Sequence, residues 1–481
     1  MNPQHPHPPH PSYADADPAC RPATAERAPR PRAGGRTARA GRGLPAVALG
    51  VLAGLGVQAG VAPPASAAPQ SATTVATAGA GADPAFYDPP ADLPAADGSL
   101  IRTEALPLAL SLPGVHGPLP GKATRLMYKS TDSAGGPVAV TGAYIEPSTP
   151  WKGGGPRPVV ALAPGTMGQG DQCAASKALG KPLSLDEGSV SIGYENLAIH
   201  RFLGKGVAVV VTDYVGLGTT DRPHTYVNRL DGGHAVLDAV RAARALPQAS
   251  VTADSPVGLY GYSEGGGATA SAAELQASYA PEVKLAGSYV GAPPADLTAV
   301  LHAVDGSSLS AALGWSINGF LQSEPALKPI VDTHINDKGR TALNDLSRMC
   351  IGDGLFAYGG RASSSWTKSG ASLADVVKGE PALQTFLARQ RLGSLTPSSP
   401  VRLATGTSDD LVPHEQARRL AADWCAKGAP VTYVPVRILP LPEKLLNHFL
   451  PLIADQGAAV DWVTDRLAGK PATTDCRAVA R

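Results

Sequence analysis

Charge of either sign is scarce in this chain. Charged residues make up 17% of its 481 residues and nearly cancel, 41 Lys and Arg against 40 Asp and Glu. The body of the chain carries no long basic patch, so nothing in it is built to neutralise phosphates, and nucleic acid is excluded as a partner. Aromatics are 5% of the residues, too few for a surface that stacks single-stranded bases. The five cysteines form no C-x-x-C pair and no close cluster with histidine, which leaves a structural metal without ligands. The glycine-containing loop Pro164-Gly165-Thr166-Met167-Gly168 lacks the G-K-[ST] ending of a phosphate loop, which argues against nucleotide binding. Hydrophobic residues, by contrast, reach 43%. A chain of this length can bury a substantial core, as one large domain with insertions or as two domains.

The first 67 residues differ from the rest. Residues 1–43 are rich in Pro, His, Arg and Ala without apolar periodicity, the composition of disorder. Leu44 to Ala62 is an uncharged, largely apolar run behind Arg36, Arg39 and Arg42, ending at Pro63-Pro64-Ala65-Ser66-Ala67-Ala68. Basic flank, apolar run and small-residue site predict a secretory signal peptide cleaved near Ala67. The run approaches spanning length, but its Gly/Ala dilution and the immediate cleavage site favour export over a membrane anchor. The long stretch ahead of the run points to a start downstream of Met1. Cys20 leaves with the leader, and Cys173, Cys350, Cys425 and Cys476 remain. An even number in an exported chain implies two disulfides, with three pairings open.

Residues 68–85 are small and mostly polar and read as a linker. From about Phe86 the pattern is α/β. Thr124 to Ser130 and Val138 to Glu146 read as an antiparallel pair. Arg157 to Ala163 and Gly206 to Asp213 are continuous apolar runs, as expected at the centre of a parallel sheet. An amphipathic helix over Gly232 to Leu246 and strands at Pro256 to Tyr260 and Leu285 to Val290 follow. The alternation breaks down over 296–396, then resumes with the strand Pro400 to Gly406, the helix His414 to Cys425, the strand Val431 to Val436 and a helix over Ala458 to Leu467. The expected organisation is a mostly parallel core over 86–295 and 397–481 with a helical cap inserted at 296–396.

Chemistry concentrates at Gly261-Tyr262-Ser263-Glu264-Gly265, between an apolar strand and the small-residue helix from Gly266 onward. Strand, sharp turn and helix expose the hydroxyl of Ser263 in a strained turn beside helix-terminal N–H groups, the arrangement of a nucleophile elbow. A serine hydroxyl is too weak an acid to attack unaided; it needs an imidazole to take its proton and a carboxylate to orient that imidazole. The acid is expected just after a late strand, at Asp409 or alternatively Asp410. The base must come later still. His414 begins the helix leading away from the acid loop, which leaves His448, in the loop-like stretch Leu445 to Leu450. Two oxyanion donors are needed: the N–H of Glu264, and one from the loop after Ala163, Thr166 first and Met167 next.

With these residues in place the chain resembles the secretory lipases of the lipase-A type found in actinobacteria and yeasts, members of the α/β-hydrolase superfamily. The resemblance rests on Pro164-Gly165-Thr166 with Gly170-Asp171-Gln172-Cys173-Ala174-Ala175-Ser176, on Asp213-Tyr214-Val215-Gly216-Leu217-Gly218, on the elbow, on Asp409 to Pro413, on Cys425 to Gly428 and on the late histidine. It implies an α/β-hydrolase core with a helical cap, Ser263, Asp409 and His448 as the triad, the pairings Cys173–Cys350 and Cys425–Cys476, and hydrolysis of carboxylic esters including triacylglycerols. It implies no cofactor, and as partners an ester or lipid substrate with transient contact to lipid surfaces. Two departures stand out: Gly267, which would loosen the start of the helix after the elbow, and Leu439-Pro440-Leu441-Pro442 ahead of the histidine. A serine peptidase or an acyltransferase on the same fold would use the same three residues, and a non-catalytic binding protein would keep the fold without needing them.

Overall fold

The computed structural model of the protein describes residues 84–108, 121–180, 183–184 and 191–479. The leader, the apolar run with its site near Ala67, Cys20 and most of the 68–85 linker lie outside these residues. Nine strands form the main sheet: β1 (Leu100–Leu106), β2 (Gly121–Thr131), β3 (Pro137–Pro147), β4 (Val159–Ala163), β7 (Ala208–Val215), β8 (Val257–Tyr262), β9 (Leu285–Gly291), β10 (Val401–Gly406) and β11 (Val431–Val436), with β5 (Leu183–Ser184) and β6 (Ser191–Ile192) pairing as a separate short ladder. Their order is β1-β2-β3-β7-β4-β8-β9-β10-β11. The first four are antiparallel neighbours, and from β7 to β11 all neighbours are parallel. This is the mostly parallel sheet expected from the alternating pattern, in the α/β-hydrolase architecture that the resemblance implies.

The sheet is mostly parallel because its central strands are covered on both sides. β4, β7 and β8 are buried along their whole length, which is why they read as unbroken apolar runs. One face packs Val160, Leu162, Val209 and Val211 against α1 (Ala175–Gly180), α2 (Asn196–Gly204) and α13 (Lys444–Leu467). The other packs Ala161, Val210 and Leu259 against α3 (Arg229–Ala245) and α4 (Glu264–Tyr279). α12 (His414–Ala426) and α14 (Cys476–Val479) cover the β10–β11 edge.

Between β9 and β10 the chain runs through α5 (Leu297–Val304), α6 (Ala311–Ser323), α7 (Lys328–His334), α8 (Asp337–Leu346), α9 (Ile351–Tyr358), α10 (Leu373–Gly379) and α11 (Pro381–Gln390). α5 to α10 share a separate core that includes Trp315, Leu346 and Trp366.

Two sequence expectations need correction. β1 was not foreseen, because its half-exposed pattern leaves little apolar signal in Leu-Ile-Arg-Thr-Glu-Ala-Leu. The last long helix starts at Lys444, well before Ala458, so His448 stands on a helix and not in a loop. Pro440 and Pro442 precede this helix and Pro451 lies within it, and prolines locally favour loops. Glu443 caps the helix through the N–H of Leu445, and Pro451 is accommodated inside it, where it removes a single backbone bond.

Candidate active site

β8 ends in Tyr262, α4 begins at Glu264, and Ser263 makes the turn between them at φ 60°, ψ −124°. The turn is held at both ends. The Ser263 N–H donates to Gly291 O at 2.9 Å, and the Gly267 N–H donates to Ser263 O at 3.0 Å. The helix therefore starts at once despite Gly267. A side chain on Gly265 would run into the Ala163 carbonyl, so the helix can sit this close to β4 only with glycine there. Among the described residues the non-glycine positions with positive φ are Tyr214, Val227, Ser263 and Ala292. Tyr214 and Val227 line cavities that also touch Glu264, and Ala292 follows the Gly291 that holds Ser263. Strain of this kind persists only where the surroundings enforce it, and it clusters at functional sites.

α13 brings His448 to this turn from 185 residues away. Its Nε2 lies 2.9 Å from Ser263 Oγ, and its Nδ1 lies 2.7 Å from Asp409 Oδ2. Asp409 Oδ1 accepts from the N–H groups of Leu411 and Val412 at 3.1 and 2.9 Å. An ionised carboxylate only accepts, so Nδ1 carries the imidazole proton and Nε2 is left to accept from the serine hydroxyl. The Tyr262 hydroxyl donates to His448 O at 2.7 Å and fixes the backbone behind the ring. Asp410, the alternative acid, turns away and accepts from Asn447 Nδ2 at 3.2 Å.

Thr166 and Glu264, whose N–H groups are the two expected donors, line one cavity together with Ser263. Glu264 is the first residue of α4, where an N–H has no intrahelical acceptor. The Thr166 N–H has no acceptor among the described residues. The Met167 N–H, the second choice, likewise has no acceptor among the described residues; the Met167 carbonyl accepts from the Ile351 N–H, and its side chain is in the core. Four side chains brace the Thr166 loop. The Tyr214 hydroxyl donates to Pro164 O at 2.5 Å, Glu195 Oε1 accepts from the Gly165 N–H at 2.9 Å, the Tyr194 hydroxyl donates to Thr166 O at 3.1 Å, and Thr166 Oγ1 meets the Tyr226 hydroxyl at 2.8 Å. The Glu264 carboxylate meets His224 Nε2 at 2.9 Å, and His224 Nδ1 donates to Val215 O at 3.1 Å. Of these supports only Tyr214 lay in a motif singled out from sequence. Tyr194, Glu195, His224 and Tyr226 lay outside every motif singled out from sequence.

Sulfur–sulfur bonds join Cys173 to Cys350 and Cys425 to Cys476. The first ties the segment after Thr166 to the start of α9. Gln169 N–H to Met349 O at 2.9 Å and Gln169 Nε2 to Trp315 O at 3.1 Å bind the same segment to the helices. From Ser263, Thr166 and Glu264 a cavity of about 150 Å³, partly open to solvent, extends among α5, α6, α7, α10 and α11. Leu301, Ile317, Phe320, Val331, Val377 and Phe386 are typical of its walls, and among the described residues beyond the serine end only Ser316 and His334 interrupt the apolar lining.

A model of the family described as secretory lipase matches residues 181–475. A Mycobacterium tuberculosis protein described as a "Probable inactive lipase" is 31% identical, the match covering 81% of this chain and 83% of that protein. Lipase 10 of Candida albicans is 27% identical over 82% and 83%, and a secreted triacylglycerol lipase of Malassezia furfur is 28% identical over 63% and 76%. Among solved structures, Candida antarctica lipase A in its closed state superimposes with a TM-score of 0.69 at 21% identity, covering 82% of this chain and 88% of that one. The rice cell wall degrading esterase LipA of Xanthomonas oryzae superimposes at 0.63 with 19% identity, covering 78% of this chain and all of that one. A family match over more than half the chain, with identity above 30% across four fifths of it, establishes that this chain belongs to the secretory lipase family.

Proposed function

We propose that the protein is an exported serine hydrolase that cleaves carboxylic esters with apolar acyl chains. The observation that carries this reading is the line Ser263 Oγ, His448 Nε2, His448 Nδ1, Asp409 Oδ2, with contacts of 2.9 and 2.7 Å, at the foot of an apolar cavity. His448 takes the Ser263 proton as Oγ attacks the ester carbonyl. The N–H groups of Thr166 and Glu264 receive the oxyanion. His448 returns the proton to the leaving alcohol, and water then repeats the sequence to free the acid and the serine. Asp409 orients the ring and stabilises its cationic form. Every step uses protein groups and water.

The helical segment 296–396 acts as a cap that supplies the acyl site, which favours longer acyl chains over acetate. The mycobacterial relative's description concerns that protein; here the serine, histidine and carboxylate are all present and in contact. The two disulfides and the secreted relatives support an extracellular setting. The test is hydrolysis of p-nitrophenyl esters from butyrate to palmitate by the purified mature protein, together with fluorophosphonate labelling. Ser263→Ala should lose both. A protein that neither reacts with the probe nor turns over any ester sinks the reading. Cleavage of peptides, or faster transfer to alcohols than to water, would instead favour the peptidase or acyltransferase on the same triad.

A further inference from the structure

We propose that Glu195 is a positioning residue for the oxyanion hole, acting through the Gly165 N–H; the inference rests on the ester-hydrolase reading above. Glu195 occupies the N-cap position of α2, where an acidic side chain ordinarily bonds the first N–H groups of its own helix. It makes no such bond. Instead it is buried and reaches across to the loop after β4, where Oε1 accepts from Gly165 N at 2.9 Å. Its other oxygen, Oε2, is buried with no hydrogen-bond partner. A carboxyl kept in this state costs stability, and burial pushes it up to about 7. The fold gains no cap in return; what the group does hold is one peptide plane.

That plane sets the geometry of the donor. A peptide unit is planar and moves as a body. The unit joining Pro164 to Gly165 is gripped at both ends, at its carbonyl by the Tyr214 hydroxyl and at its N–H by Glu195. The carbonyl of Thr166 is held by Tyr194. Between these fixed groups lies the unit that carries the Thr166 N–H, and its direction follows from theirs. Gly165 is needed because a side chain there would strike the Tyr194 hydroxyl. Glycine is also the residue whose neighbouring peptides turn most freely, so this loop needs an external grip to keep one orientation. A carboxyl accepts from an N–H whether protonated or ionised, so the grip survives titration. Ionisation, however, adds a negative charge near groups that must hold an oxyanion. Tyr194, Tyr214 and Tyr260 lie near that charge, and Glu264 shares the surroundings of the first two.

The experiment compares Glu195→Ala and Glu195→Gln with the parent and with Ser263→Ala on a short-chain p-nitrophenyl ester. Affinity for a trifluoromethyl ketone, which forms an oxyanion adduct, is measured alongside thermal unfolding. Turnover by the parent that Ser263→Ala abolishes establishes the underlying reading; its absence would sink that reading before Glu195 is considered. Given it, Glu195→Ala should lower kcat by about 10- to 100-fold, less than outright loss of a donor, with KM within about threefold and ketone affinity falling in step with kcat. Glu195→Gln, which keeps the acceptor, should recover kcat to within about threefold of the parent. The proposal is overturned if folded Glu195→Ala keeps the parent's kcat, or if Glu195→Gln, folded, is as slow as Glu195→Ala. If Glu195→Ala does not fold, the Gln variant and its ketone affinity decide alone, parental values supporting the proposal and loss overturning it.

Discussion

The two ends of the cavity are made by different means. At the serine end the triad contacts join side chains, but most of the supporting contacts engage backbone: Ser263 to Gly291, Pro164 to Tyr214, Gly165 to Glu195, and Leu411 and Val412 to Asp409. These groups sit where strands of the sheet end, and the sheet is rigid because its central strands are buried on both faces. At the other end the walls are side chains of short helices with a core of their own. Hydrogen-bond geometry tolerates errors of only tenths of an ångström, whereas an apolar wall tolerates exchange of one side chain for another of similar volume. Reaction chemistry should therefore depend on single atoms at the first end, and substrate choice on summed volume at the second.

The comparison can be broken or sharpened by substitution. Ser263→Ala should cut kcat by about 10⁴-fold or more while leaving the unfolding temperature near the parent's; steady-state ester hydrolysis and a melting curve read both. Asp409→Asn should cost about 10²- to 10⁴-fold in kcat, whereas Asp410→Asn should stay within about threefold, since only Asp409 faces the ring. Equal losses for the two would place the acid wrongly. At the apolar end, Leu301→Trp should lower kcat/KM for palmitate about tenfold and leave butyrate within about twofold, a volume effect of 1–3 kcal/mol. If both esters fall together, the cavity is not the acyl site.

The disulfides offer a finer contrast. Replacing Cys425 and Cys476 by alanine should lower the unfolding temperature with kcat unchanged at low temperature, a loss of about 2–4 kcal/mol. Replacing Cys173 and Cys350 should lower both, because that pair fixes the segment leading away from Thr166.

The smallest effect concerns Glu195. Its folded value is raised from 4.5 to about 7, so the folded state holds the proton more tightly than the unfolded chain. Its stabilising contribution is complete below the unfolded value and is lost as pH rises through the folded one. Glu195→Gln removes that loss. The unfolding temperature of the Gln variant relative to the parent should therefore climb between about pH 5 and pH 8, by the equivalent of about 1–3 kcal/mol. A constant difference would mean that the carboxyl does not titrate there.

Much of this arrangement was legible in the chain. The unbroken apolar runs of β4, β7 and β8 announced a doubly covered sheet, and the elbow motif marked a strand-to-helix turn. What escaped were elements and supporting residues that leave no local pattern. β1 was missed because a half-exposed edge strand leaves little hydrophobic pattern. His448 was read into a loop because nearby prolines dominate local propensity, while the core under α13, with Leu452, Val460 and Val463 buried, decided for a helix. Glu195, His224 and Tyr226 carried no local sign at all, since an acid at a helix start has an adequate local explanation.

The sequence by itself determined the class of fold, the turn at Ser263 and the short set of residues able to serve it, because hydrophobic periodicity and glycine placement act over a few neighbouring residues. Only the tertiary structure decided which of two adjacent aspartates meets the imidazole, which N–H groups stay unpaired, and where the apolar space lies. Those outcomes turn on distances between groups up to 185 positions apart, and such distances exist only once the sheet and its helices have packed.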